Sequence, residues 1–148
     1  MNLVKKLDQY NHTNVVFCEP IKNNIMLDGT FIRILYSTEY MTLNGIYLLV
    51  NLKDVSFEKY YNKYKCNFNI SNNKNIIDNL KVIEEEILKK YKTNKIPLFK
   101  ICEQTKLGSI KFFSVFNNFK ECSFILKISG IWETPYNYGL TYKFIVTN

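Results

Sequence analysis

"KYYNKYKCNFNI" (residues 59–70), followed shortly by "NIIDNLKVIEEEILKKY" (75–91), is the stretch on which the fold turns. In the first segment the even positions, Tyr60, Asn62, Tyr64, Cys66, Phe68 and Ile70, are mostly apolar. The odd positions, Lys59, Tyr61, Lys63, Lys65, Asn67 and Asn69, are basic and polar. A period of two belongs to a β-strand, so the segment predicts one half-buried strand with a wet, cationic outer face. In the second segment Ile76, Leu80, Ile83, Ile87 and Tyr91 recur at spacings of three and four, the apolar stripe of a helix. Asn75 with Asp78 reads as its cap. Glu85 with Lys89 and Glu86 with Lys90 are i,i+4 pairs in the favourable order. The Glu84-Glu85-Glu86 run reads as a solvated face that draws acid away from the strands.

Upstream, "TFIRILYS" (30–37) is rich in β-branched and aromatic residues and reads as a strand. "GIYLLVNLK" (45–53) points Ile46, Leu48, Val50 and Leu52 to one side, with Asn44-Gly45 as the entering turn. Residues 1–29 form an N-terminal extension or an entry strand, with a turn at Asp28-Gly29. Downstream of Pro97, "LFKIC", "SIKFFSVF", "SFILKISGIWE" and "GLTYKFIV" read as four more strands. The last two flank a turn near Thr134-Pro135-Tyr136-Asn137. The expectation is a single domain over 1–148, mainly β with one helix (α+β). Strands, one helix and further strands is the order of an OB-fold, a small Greek-key barrel with a helix between strands.

The 47% apolar content excludes a disordered chain. The formal charge of +7 points to an anionic partner, although a chain crowded with Asn, Lys, Ile, Tyr and Phe also reflects AT-rich codons. No apolar run approaches the roughly 20 residues of a membrane-spanning helix. "MNLVKKLDQYNHTN" does not read as a signal peptide, so a soluble intracellular protein with no membrane partner is expected. Cys18, Cys66, Cys102 and Cys122 are widely spaced and His12 is the only histidine, a pattern of reduced thiols rather than of a metal site. No phosphate-loop, dinucleotide or nucleophile-elbow motif is present, and neither catalysis nor a cofactor is expected.

"FIRILYS", "LNGIYLL" and "LKISGIWETPYNYGLTYKF" resemble the single-stranded DNA-binding proteins of large eukaryotic DNA viruses, which are similar in turn to those of podophages. The likeness spans roughly residues 30–146. It implies an OB-fold and sequence-tolerant binding of single-stranded DNA, or of RNA, in viral replication or recombination. It also implies no catalysis. Replication proteins and further copies of the chain are the candidate partners, and the host cytoplasm, the nucleus or a viral replication site is the expected location. The podophage proteins end in an acidic tail, whereas this sequence ends "KFIVTN", which puts tail-mediated recruitment in doubt.

Lys59, Lys63 and Lys65 with Tyr61 are the leading binding group, because single strands bind by phosphate neutralisation plus base stacking. Lys127 and Lys143 lie off the apolar faces of their strands and extend the track. Arg33, the only arginine, is either a stacking, bidentate contact or a structural ion-pair partner. Tyr136 and Tyr138, beside Pro135, are expected to be exposed. Trp132 shares parity with Phe124, Leu126 and Ile128 and is expected in the core, unless a bulge at Gly130 reverses it. The alternative function is a non-enzymatic structural or interaction module, a virion or assembly component whose aromatic strand faces form a protein interface.

Overall fold

A computed structural model describes residues 3–23, 29–61, 63–113 and 123–146. Its strands are β1 (Val15–Phe17), β2 (Ile21–Asn23), β3 (Gly29–Ser37), β4 (Thr42–Asn44), β5 (Ile46–Asn51), β6 (Val55–Tyr60) and β7 (Lys63–Phe68). Helix α1 (Lys74–Lys90) follows, then β8 (Ile96–Leu98), helix α2 (Lys100–Lys106), β9 (Ser109–Phe113), β10 (Ser123–Glu133) and β11 (Asn137–Val146). The protein is α+β, with strands predominating. Among the described residues no helix is long and apolar enough to cross a membrane.

The long β10–β11 hairpin is the axis of the sheet. The first half of β10 pairs with β5 and the second half with β3, both antiparallel. β3 is divided in the same way, pairing with β2 and β10 through its first half and with β1 and β4 through its second. On the other side β11 continues through β9, in parallel, to β7 and β6. The described strand path is an open one, β1-β3-β10-β11-β9-β7-β6. Alternation explains the core. Ile32, Ile34, Ile46, Leu48, Val50, Cys66, Phe124, Leu126 and Ile128 all point inward and are buried. Helix α1 closes over them with Leu80, Ile83, Ile87 and Leu88, much as its stripe predicts.

Five expectations are corrected. The segment 59–70 is two strands rather than one: the chain reverses after Tyr60, and Tyr61 takes the left-handed φ of 56° that a tight hairpin turn requires. "LFKIC" is extended only as far as Leu98, and Lys100–Lys106 forms a second helix. The physical reason is Glu84, which is 0% exposed rather than solvated. Its carboxylate oxygens accept the Ile101 and Cys102 backbone N–H groups, each at 2.9 Å, and so satisfy donors that the start of α2 leaves open. Helix α1 begins one residue before the expected Asn75 cap. Asn73 instead accepts the Lys53 N–H (2.8 Å) and donates to the Lys53 and Asn69 carbonyls, tying the helix start to the loop after β5.

The fifth correction concerns Trp132. The β10–β11 register shifts between Ile128 and Gly130, the bulge that reverses parity. Ile131 therefore turns inward and is fully buried, and Trp132 is half-buried on the outer face.

The N-terminal residues belong to the fold. Lys5 bridges to Leu48, and β1 pairs with β3. The Lys90 ammonium donates to the carbonyls of His12 (3.0 Å) and Val15 (2.7 Å). The expected turn at Asp28 and the end of "SIKFFSVF" lie outside the described residues.

Candidate nucleic-acid interface

The sheet register assembles a row that no single segment contains. Lys65 on β7 stands directly opposite Lys111 on β9, with Glu58 on β6 at its other side. Phe112 of β9 is registered with Phe144 of β11, so Lys111 and Lys143, each one residue earlier, are neighbours across that pair. Lys143 stands opposite Lys127 on β10, and Lys127 opposite Tyr47 on β5. The Lys127 ammonium lies 5.7 Å from the Tyr47 ring centroid, within cation–π range. The row thus reads Tyr47, Lys127, Lys143, Lys111, Lys65, Glu58. The residues next to it along the strands (Leu126, Ile128, Phe144, Phe112, Tyr64 and Cys66) are buried, which puts the lysines on the outer face. Within each opposed pair, Lys127–Lys143 and Lys111–Lys65, the strands lie about 4.8 Å apart.

Past the bulge, the same face carries Gly130 and Trp132 on β10, with Arg33 and Phe31 opposite them on β3. A Cβ on Gly130 would lie 2.6 Å from the Phe31 ring, and one on Gly139 2.6 Å from the Trp132 ring. Both aromatic rings are therefore laid over bare backbone, a flat arrangement that only glycine permits. Arg33 is exposed, and its Nη1 donates to Asn44 Oδ1 at 2.9 Å, a neutral partner rather than an ion pair.

Of the residues singled out from sequence, Lys63, Lys65, Lys127 and Lys143 come together on this face. Lys59 does not join them. The hairpin turn sets it opposite Tyr64, on the other side of the sheet from Lys65, with its ammonium 6.0 Å from the Tyr64 ring centroid. Tyr61, at the hairpin tip, is 82% exposed, and Tyr136, in the β10–β11 turn, is 79% exposed. Tyr138 overturns its expectation. It already belongs to β11 at an inward position, is only 6% exposed, and donates its hydroxyl to the Leu88 carbonyl at 3.0 Å.

Lys111, Tyr47 and Phe31 were missed. The signal for Lys111 was available, since it alternates between Ile110 and Phe112 as Lys65 does between Tyr64 and Cys66. What was lacking was the register that makes the two lysines neighbours.

A cleft opens beside the row. Among the described residues β9 and β11 are paired at Phe112–Phe144 and Phe113–Ile145, and earlier residues of both strands line the gap with α2. Its volume is about 760 Å³, and Lys63, Lys100, Lys111 and Lys143 lie around it with Glu103 as the one acid. Within it the Tyr142 hydroxyl donates to Gln104 Oε1 at 2.8 Å. Burial, and then the charges of Glu84 and Glu103, push the Tyr142 phenol up to about 12, so it keeps its proton.

On the inner side of the sheet, Glu133 is held by the Lys95 ammonium at 2.6 Å and by the Tyr91 hydroxyl. Burial acts to raise the Glu133 carboxyl, but these two partners outweigh it and hold the group below the usual carboxylate value. Among the described residues no three His, Cys, Asp or Glu side chains are grouped to hold a metal ion. Cys18, Cys66 and Cys102 are not disulfide-bonded.

No protein-family model, curated protein or solved structure matches this chain. Its own surface is what speaks for a function.

Proposed function

We infer that this protein binds single-stranded DNA without sequence preference, in viral DNA replication or recombination, through a lysine track flanked by aromatic side chains. The observation that carries this reading is the cross-strand row Lys127, Lys143, Lys111, Lys65. Like charges set opposite one another in a sheet destabilise it. Two opposed pairs on one face, Lys127–Lys143 and Lys65–Lys111, have a rationale when an anionic polymer lies along them, because phosphate contacts replace the repulsion and release counterions. The flat Phe31 and Trp132 rings beside the row, and Tyr61 at the hairpin tip, suit base stacking, which is sequence-tolerant because every base has a π-face.

The fold reading that accompanies this function is an OB-type barrel. It is supported by a strand, β7, that a single turn joins to helix α1, and by the long closing hairpin. Replication proteins and further copies of the chain are the partners that belong with it, at a viral replication site in the host cell.

Titration of labelled oligo-dT at two salt concentrations tests the reading. Four phosphate contacts on a single strand give a log–log salt slope of about −3. Absence of binding at low salt would sink it, and would favour the interaction-module alternative.

A further inference from the structure

We propose that the cleft between β9, β11 and α2 receives one base of the bound strand, while the neighbouring phosphates stay on the lysine row. This inference rests on the single-strand reading above and assigns a task to a part of the surface that reading leaves unused.

Position supports it first. Lys111 and Lys143 belong both to the row and to the cleft wall, so a backbone following the row passes over the cleft mouth. Size and chemistry agree. A volume of about 760 Å³ falls within the roughly 300–1,000 Å³ of small-ligand sites. The walls combine aromatic carbon from Phe112, Tyr142 and Phe144 with the polar side chains of Gln104 and Ser109. The rim is cationic, with four lysines against Glu103, and Glu103 is partly matched by Lys100 at 3.7 Å. A partner carrying a flat, partly apolar ring next to a negative charge is what these walls and this rim complement.

Orientation follows from one hydrogen bond. Because Gln104 Oε1 accepts the Tyr142 hydroxyl, the amide is turned so that its NH₂ group is the end that offers donors. Those donors suit a ring carbonyl, such as thymine O2 or O4, and the Tyr142 oxygen keeps acceptor capacity for a ring N–H. A base therefore meets complementary groups within the cleft, while the sugar–phosphate chain is matched by the lysines of the rim.

The test uses the full chain and two probes, oligo-dT and an abasic oligomer of the same length, which has the same phosphates and no bases. Both are titrated at low salt against the wild type, Gln104→Ala and Ser109→Phe. The Ser109 variant fills the cleft from a strand position without altering charge. Loss of one base contact corresponds to roughly a tenfold weakening. The expected result is a weakening of about that size for oligo-dT in both variants, with abasic affinity and salt slope unchanged.

Equal weakening of both probes would make the cleft a phosphate contact and overturn the inference. Unchanged oligo-dT affinity in both variants would also overturn it, while leaving the single-strand reading intact. If neither probe binds the wild type, the single-strand reading itself fails, and the inference with it.

Discussion

Lys65 and Lys111 face each other directly across β7 and β9, two ammonium groups at one cross-strand position on the outer surface of the sheet. Such a pair costs the free protein stability and gains value only with an anion over it. Lys111→Gln is therefore expected to raise the stability of the unbound protein by about 0.2–1 kcal/mol. The same substitution should weaken oligo-dT binding and lower the salt slope by about 0.7. Urea midpoints and salt-dependent titrations measure the two effects. Stability and affinity falling together would argue that Lys111 has a structural role instead.

The hairpin reversal separates two lysines that look equivalent in sequence. Lys65→Ala should weaken binding of any single strand and reduce the salt slope by about 0.7. Lys59→Ala should leave the slope unaltered, because Lys59 stands opposite Tyr64 on the other face. Equal effects of the two substitutions would contradict the β6–β7 register.

Glu133 determines part of the acid stability. Its carboxyl is held below the usual value by Lys95 and Tyr91, so the folded state binds its proton less readily than the unfolded chain does. Its contribution is complete above the unfolded carboxylate value and is lost as pH falls through the lowered one. Glu133→Gln should flatten this acid limb in urea midpoints measured between about pH 3 and 6. An unaltered pH profile in the variant would remove Glu133 from this role.

Gly130 and Gly139 provide the floor beneath two aromatic rings. A Cβ at Gly130 would stand 2.4 Å from the Ile32 carbonyl oxygen, a backbone atom that cannot rotate away. Gly130→Ala should therefore destabilise the protein by about 1–3 kcal/mol in chemical denaturation. At Gly139 the Trp132 ring is among the obstacles, so Gly139→Ala should displace the only tryptophan and shift its emission. In the wild type, oligo-dT is expected to quench that emission. Unquenched emission at saturation would take Trp132 out of the stacking surface.

Glu84 links the two helices. Glu84→Ala leaves the Ile101 and Cys102 N–H groups without their acceptor, at a cost of about 2 kcal/mol, and should loosen α2 first. Amide exchange at Ile101–Thr105 is the measurement. Exchange as slow as in the wild type would show that α2 does not depend on this carboxylate.

Much of this protein is legible in one dimension wherever a local period decides the outcome. The two-residue alternation of 64–68 and 124–128 assigns their buried faces, and the stripe Leu80, Ile83, Ile87 assigns that of α1. The outward lysines 63, 65, 127 and 143 follow from the same alternation, since a charge on a half-buried strand points to water. Where parity is interrupted, local reading fails. A turn at Tyr61 places Lys59 on the wrong side, and a bulge before Gly130 moves Trp132 outward.

Long-range contacts decide the rest. Glu84 turns the end of "LFKIC", which reads locally as a strand, into the start of a helix by accepting the Ile101 N–H from 17 residues away. Tyr138 is drawn inward by the Leu88 carbonyl, 50 residues distant in the chain. The lysine row depends most on tertiary structure. The sequence by itself determined which face each of the four row lysines would occupy, because side-chain direction is a property of the strand. Only strand register could bring Lys127, Lys143, Lys111 and Lys65 into one line, because register is set by how the whole sheet packs on its core.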